Sequence, residues 1–133
     1  MRRSRDESGM VGKIIIVWLL LVALLGVVAL DAASIVFTKF RLSDTASAAA
    51  TTAATNYQNS RDSGEACDAA RRAVQDEDPD VQIPKTFCKI DPASGEATIV
   101  IRKEAKTIVA GRLSFTKDLT KVTDKETAGP ATL

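Results

Sequence analysis

Cys67 and Cys88 are the residues of this chain whose chemistry is easiest to interpret from type and spacing. Their spacing is not the C-x-x-C of a redox pair, so in an oxidising compartment they predict a structural disulfide. Such a bond would close a loop of about 20 residues and contribute roughly 3 kcal/mol on the chain-entropy model. Two free buried thiols and a redox pair are the alternatives.

The rest of the sequence has no recognisable pattern for catalysis or metal binding. The chain contains no histidine, which removes imidazole acid–base catalysis and histidine ligation of zinc. The acidic run from Asp76 to Asp80 lacks the ligand spacing of a calcium-binding loop and better fits a polar turn around Pro79. We therefore predict a protein that is not an enzyme, with no catalytic residue, metal site, cofactor or small-molecule substrate.

The charge of the chain gives no reason to expect a nucleic-acid partner. Its 18 Lys and Arg residues nearly balance its 17 Asp and Glu residues, for a net charge of +1. Nucleic-acid-binding domains instead concentrate basic residues on one surface. Here a basic cluster occurs only at the N-terminus, where Arg2, Arg3 and Arg5 precede an apolar run.

That apolar run, IIIVWLLLVALLGVVAL from Ile14 to Leu30, is the element that decides where the cysteines reside. It lies at the short end of the about 17–25 residues that span a bilayer, and we predict a transmembrane helix over residues 10–37. The arginines before it keep residues 1–9 in the cytoplasm as a basic leader and send the C-terminal part outward. The predicted location is the cytoplasmic membrane, crossed once, with membrane lipid as the first partner.

Processing of the N-terminus has three possible forms. The first is an uncleaved signal anchor. The second is a secretory peptide cut after Val27-Val28-Ala29, which would release the outer part. The third is a pilin-type leader cut at Gly9 or Gly12, which would leave the apolar helix in the mature protein.

The helix is predicted to continue beyond the membrane. Between Asp31 and Tyr57 the sequence has no proline or glycine and is rich in alanine, the best helix former. We predict an alanine-rich continuation over residues 38–60, so that the whole helix is roughly 70 Å long. Small side chains on it favour close packing against another subunit's helix: Ala46, Ala49, Ala50 and Ala53. The alternative, compatible with the first, is that this face packs on the chain's own domain.

A small extracytoplasmic α+β domain is predicted over residues 61–127, followed by a disordered tail over 128–133. Asp62 or Ser63 can cap a second helix that extends from Glu65 to about Val74. Strand patterns occur at 81–83, 86–90, 96–103 and 119–127, and the turn at 91–95 makes the middle two a hairpin.

The strongest strand pattern is EATIVIRK, in which Ala97, Ile99 and Ile101 share one face. The following segment, 104–115, is predicted to be a short helix or a loop with its apolar side chains tucked in: Ile108, Val109, Leu113 and Phe115. The predicted fold class is α+β, with a long N-terminal transmembrane and stalk helix. A small disulfide-stapled domain with a short helix and a small antiparallel sheet follows it.

The order of segments in the N-terminal half resembles a known family. A basic leader, an uncharged span ending in Leu30-Asp31, FTKFRL at 37–42 and SDTASAAATTAA at 43–54 follow one another. This order resembles the TadE/TadG-like pseudopilins of tight-adherence (Flp-type) pilus assembly systems. The resemblance implies a pilin-like fold and a small, non-catalytic, membrane-anchored component of a pilus or secretion apparatus. It also implies other pilin-like subunits or assembly-machine proteins as partners.

One position departs from the pilin pattern. Pilin-like leaders usually carry a glutamate five residues after the cleaved glycine, and here the corresponding residues are Ile14, counted from Gly9, and Val17, counted from Gly12. We therefore expect a minor pilin or pseudopilin, or an uncleaved assembly factor, rather than a main pilin; incorporation would place it in an extracellular pilus. The alternative function is a single-pass, membrane-anchored extracytoplasmic binding or assembly module unrelated to pili.

Overall fold

One long helix organises the whole fold. In the computed structural model, which describes residues 4–129, helix α1 extends without a break from Ser4 to Ser60. Between Ile14 and Ser60 the sequence has no proline and a single glycine, Gly26, so nothing interrupts the backbone hydrogen bonds. The predictions for residues 1–3 of the leader and 130–133 of the tail lie outside the described residues.

Helix α2 spans Ser63–Glu77 and is capped as the sequence predicts. The backbone N–H groups of Gly64 and Glu65 donate to Asp62 Oδ1 at 2.8 and 3.1 Å, which satisfies donors that have no partner inside the helix. Buried residues recur every four positions, at Ala66, Ala70 and Val74. This spacing places them on one face, and that face belongs to the core.

A three-stranded antiparallel sheet follows, in the order β1-β2-β3. Its strands are β1 at Cys88–Ile90, β2 at Ala97–Glu104 and β3 at Lys121–Ala128. The predicted hairpin is confirmed, with Cys88 opposite Ile99 and Gly95 in the left-handed region of its turn at φ 75°. The predicted piece at 81–83 forms only an isolated bridge, between Gln82 and Arg102.

The helices cover one face of the sheet, and the core lies between these two layers. Ala97, Ile99 and Ile101 are fully buried, as their alternation predicts. From α1 the core receives a set of leucine and alanine side chains: Leu42, Ala46, Ala49, Ala50, Ala53 and Ala54. The second half of α1 is therefore part of the core. The packing does not divide at residue 61, where the sequence suggested that the outer domain begins.

The predicted disulfide is present and joins the two layers. Cys67 on α2 and Cys88 on β1 are bonded, with a Cα–Cα distance of 5.8 Å. The disulfide covalently links the short edge strand β1 to α2. The α+β layout is thus as expected.

The segment between β2 and β3 differs from the prediction. It is a loop, one of the two predicted forms, and it ends in one turn of 3₁₀ helix at Lys117–Thr120. Of the four apolar side chains predicted to be tucked in, Val109 is half-buried, whereas Ile108, Leu113 and Phe115 are 55%, 39% and 81% exposed. Backbone hydrogen bonds to Asp31 and Ser34 attach this loop to α1, so the exposed side chains are not needed for that contact.

Candidate functional site

The first half of α1 presents an uncovered apolar surface. Leu19, Leu20 and Leu24 are 64%, 66% and 61% exposed, and their neighbours from Ile14 to Leu30 are similarly uncovered. Among the described residues, α1 is the one helix that is long and apolar enough to cross a membrane, judged by length and composition. Exposure of so many large apolar side chains to water would be unfavourable, so this surface calls for an apolar environment or a partner.

The side chain of Asp31, immediately after the apolar run, is buried. Asp31 is 5% exposed, and its carboxylate accepts three backbone hydrogen bonds from the β2–β3 loop. Ile108 N–H donates to Oδ1 at 2.6 Å, while Val109 N–H and Ala110 N–H donate to Oδ2 at 2.8 Å each. The three consecutive N–H groups stabilise the negative charge of the carboxylate. The carboxylate in turn accepts hydrogen bonds from loop N–H groups that are not paired in the sheet. We call this arrangement the Asp31 clamp.

Further polar contacts continue the attachment along α1. Ser34 Oγ donates to the Lys106 carbonyl at 2.6 Å, and Lys39 Nζ donates to the Thr123 carbonyl at 2.9 Å and to the Asp124 carboxylate. Ser43 Oγ donates to Glu126 Oε1 at 2.9 Å. Positions 31 and 34 thus contact the β2–β3 loop at residues 106–110, and positions 39 and 43 contact β3 at residues 123–126. Of these contacts, those of Asp31 with residues 108–110 lie nearest to the apolar run.

The four alanines singled out for helix packing are all inside the molecule. Ala46, Ala49, Ala50 and Ala53 have 0% exposure and contact the chain's own core. This is the second of the two interpretations that the sequence allowed. The surface that α1 leaves for another helix is the exposed one, which includes Ala48, Thr51 and Thr55.

The two candidate leader-cleavage residues, Gly9 and Gly12, both lie within α1. A Cβ atom built on either glycine would meet nothing within 4 Å.

The acidic run from Asp76 to Asp80, at the end of α2, makes structural contacts within the domain. Lys103 Nζ donates to Asp78 Oδ2, and Asp80 N–H donates to Oδ1 at 3.1 Å. Burial acts to raise the pKa of Asp78, but the Lys103 hydrogen bond, the Asp80 N–H and nearby positive charge together lower it below its usual value. Among residues 4–129, no group of three or more His, Cys, Asp or Glu side chains could hold a metal ion.

Sequence reasoning missed the Asp31 clamp and the contacts of Ser34 and Lys39. The available signal was weak: polar residues at 31 and 34, three positions apart and so on neighbouring parts of one helix face, directly after an apolar run. Comparison with models of protein families, with curated proteins and with solved structures finds no significant match.

Proposed function

We propose that this chain is a membrane-anchored, non-catalytic, pilin-like component, of the minor pilin or pseudopilin kind, in a pilus or secretion apparatus. The observation that supports the proposal is that the two halves of α1 have different surroundings. Its first half is apolar and uncovered, whereas its second half is built into the core of a small disulfide-bonded domain. The same helix thus both anchors the chain and forms part of the core of the domain that it carries.

The proposed action is physical. In the membrane, the Ile14–Leu30 surface contacts lipid; in an assembly, it exchanges lipid contacts for helix–helix contacts with neighbouring subunits. After the apolar run, the exposed side of α1 continues the apolar character with Val36, Phe37 and Phe40, which are 54%, 62% and 67% exposed. A single helix surface from the bilayer into the outer space is what packing between parallel subunits requires.

Cysteine crosslinking in the native membrane tests this proposal. Cys67 and Cys88 are already bonded to each other, so Ala48→Cys or Thr51→Cys would be the one free thiol outside the membrane. We expect either variant to give specific adducts with a second copy or with another subunit through a short thiol-reactive linker. The matched control is Ala93→Cys, on the exposed turn between β1 and β2, which should remain uncrosslinked.

The second candidate, an anchored binding or assembly module unrelated to pili, is favoured by one observation. The small-residue face of α1, which contains Ala46, Ala49, Ala50 and Ala53, is buried in the chain's own core. It is therefore not available for contact with a partner helix. Adducts from Ala93→Cys but from neither helix position would support this candidate. That result would contradict the pilin-like proposal.

A further inference from the structure

Outside α1, the exposed large apolar side chains are concentrated in one loop. From residue 61 to residue 129, every large apolar side chain that is exposed lies between β2 and β3: Ile108, Leu113, Phe115 and Leu119. We call residues 105–119 the foot loop. The remaining exposed large apolar residues after Asp31 are Val36, Phe37 and Phe40 on α1, so the four in this loop form a separate cluster that marks an interaction surface.

The position of the foot loop identifies what faces it. The Asp31 clamp holds residues 108–110 against the helix one position after Leu30, the last residue of the apolar run. Thr116 Oγ1 donates to the Ala110 carbonyl at 2.7 Å, which keeps the Phe115 end of the loop at the same level. With the outer end of the span placed at Leu30, where the apolar run ends, rather than at residue 37 as first predicted, the loop lies where the helix emerges from a bilayer.

The charge of the foot loop matches a lipid surface. The foot loop contains three basic residues, Lys106, Arg112 and Lys117, and one acidic residue, Asp118, for a net charge of +2. Apolar side chains interspersed with basic ones suit the boundary between acyl chains and anionic headgroups, where the cations remain at the phosphates. A protein partner would not by itself explain why this surface begins where the apolar helix ends.

We propose that the foot loop is a second membrane contact, seated in the headgroup region of the outer leaflet of the bilayer that α1 crosses. The inference rests on the proposed anchoring by α1 and deepens it. Phe115, Leu113, Ile108 and Leu119 enter the interface, and the basic side chains meet lipid phosphates. The Asp31 clamp makes this contact tolerable, because a carboxylate and three backbone N–H groups near hydrocarbon would be costly if unpaired.

The test is depth-dependent quenching of tryptophan in the full chain, reconstituted in vesicles of phosphatidylcholine and phosphatidylglycerol with brominated acyl chains. Trp18 is the sole tryptophan, so the unmodified chain reports on the anchor itself. The variant Trp18→Phe with Phe115→Trp reports on the foot loop; Phe115 is 81% exposed, so the exchange leaves the core untouched. The matched control is Trp18→Phe with Ala93→Trp, on the exposed β1–β2 turn.

We expect bromines near the headgroups to quench the Phe115→Trp probe several-fold more than the Ala93→Trp control, with a blue-shifted emission. Quenching of Trp18 without quenching of the Phe115→Trp probe would overturn the foot loop and leave the anchor standing. Absence of quenching at Trp18 would overturn membrane insertion and the foot loop together. A Phe115→Trp probe that escapes lipid quenching but becomes shielded from acrylamide as protein concentration rises would assign the loop to a second copy, against the proposal.

Discussion

Asp31 links the end of the apolar run to a loop 77 positions further along the chain. A lone carboxylate at this point would pay a large desolvation cost, and three backbone donors offset it. The side chain thus acts as a structural anchor for the β2–β3 loop. No other side chain among those described bonds to backbone N–H groups so far away in sequence.

We expect Asp31→Ala to release residues 108–110 from α1. The attachment should weaken locally, because three backbone N–H groups lose a charged acceptor. Hydrogen–deuterium exchange of the full chain in micelles measures this as faster exchange over 106–111. The control is Asp118→Ala, since the Asp118 side chain is 91% exposed and pairs only loosely with Lys121. Equal exchange in the parent chain and Asp31→Ala would contradict the clamp.

Residues with a local signature were predictable, and those with distant backbone partners were not. Asp62 could be assigned as a cap because its partners, Gly64 and Glu65, are its near neighbours. The disulfide followed from there being two cysteines in the part of the chain that the sequence predicts to be exported. Asp31 could not be assigned, because its backbone N–H partners lie 77–79 positions away and their side chains do not mark them.

At the scale of elements, the second half of α1 has one face buried in the core and the opposite face exposed. Ala49 is fully buried against the core, whereas the adjacent Ala48 faces outward. Alanine in the buried positions lets the helix lie close to α2 and the sheet. A larger side chain would force the layers apart.

Ala49→Leu is expected to destabilise the domain by about 1–3 kcal/mol through overpacking. Ala48→Leu, one residue earlier and exposed, should change stability by less than about 0.5 kcal/mol. Thermal unfolding of both variants and the parent chain in the same mild detergent measures the difference. Similar melting temperatures for the two variants would show that the alanine face is not tightly packed.

Among the elements, periodicity determined which could be predicted. In β2, alternation at Ala97, Ile99 and Ile101 correctly indicated the buried face. The segment 104–115 has apolar residues without a helical or strand period, and the prediction that they are buried was wrong for Ile108, Leu113 and Phe115. Hydrophobicity alone does not distinguish a residue covered by its own chain from one that meets another surface.

At the scale of the whole molecule, the domain begins where the apolar run ends. From Gly9 onward, Asp31 is the first residue that is buried, and Leu42 and the alanine face lie within α1. The unit that folds therefore includes about half of the helix. The linear order of segments could not reveal this, because an alanine-rich helix has the same composition whether it is a free stalk or one layer of a core.

This division predicts the behaviour of two fragments. A fragment of residues 31–133 should fold with the Cys67–Cys88 disulfide and remain soluble without detergent, since it keeps the whole core. A fragment of residues 61–133 should not fold, because it lacks Leu42 and the alanines that cover the sheet. Circular dichroism and NMR amide dispersion report the outcome. Cooperative unfolding of the shorter fragment would refute the shared role of α1.

The unbroken backbone of α1 has a mechanical consequence. No hinge separates Leu30 from Asp31, so in the anchored protein proposed above the domain and the span would tilt together as one rigid rod. The segment from Asp31 to Ser60 is about 45 Å long, so a tilt of roughly 20° would move its far end by about 15 Å. A force on the domain would likewise be transmitted along the helix to the Ile14–Leu30 surface. In that anchored state, the tilt of the helix in the bilayer would set the direction of the domain.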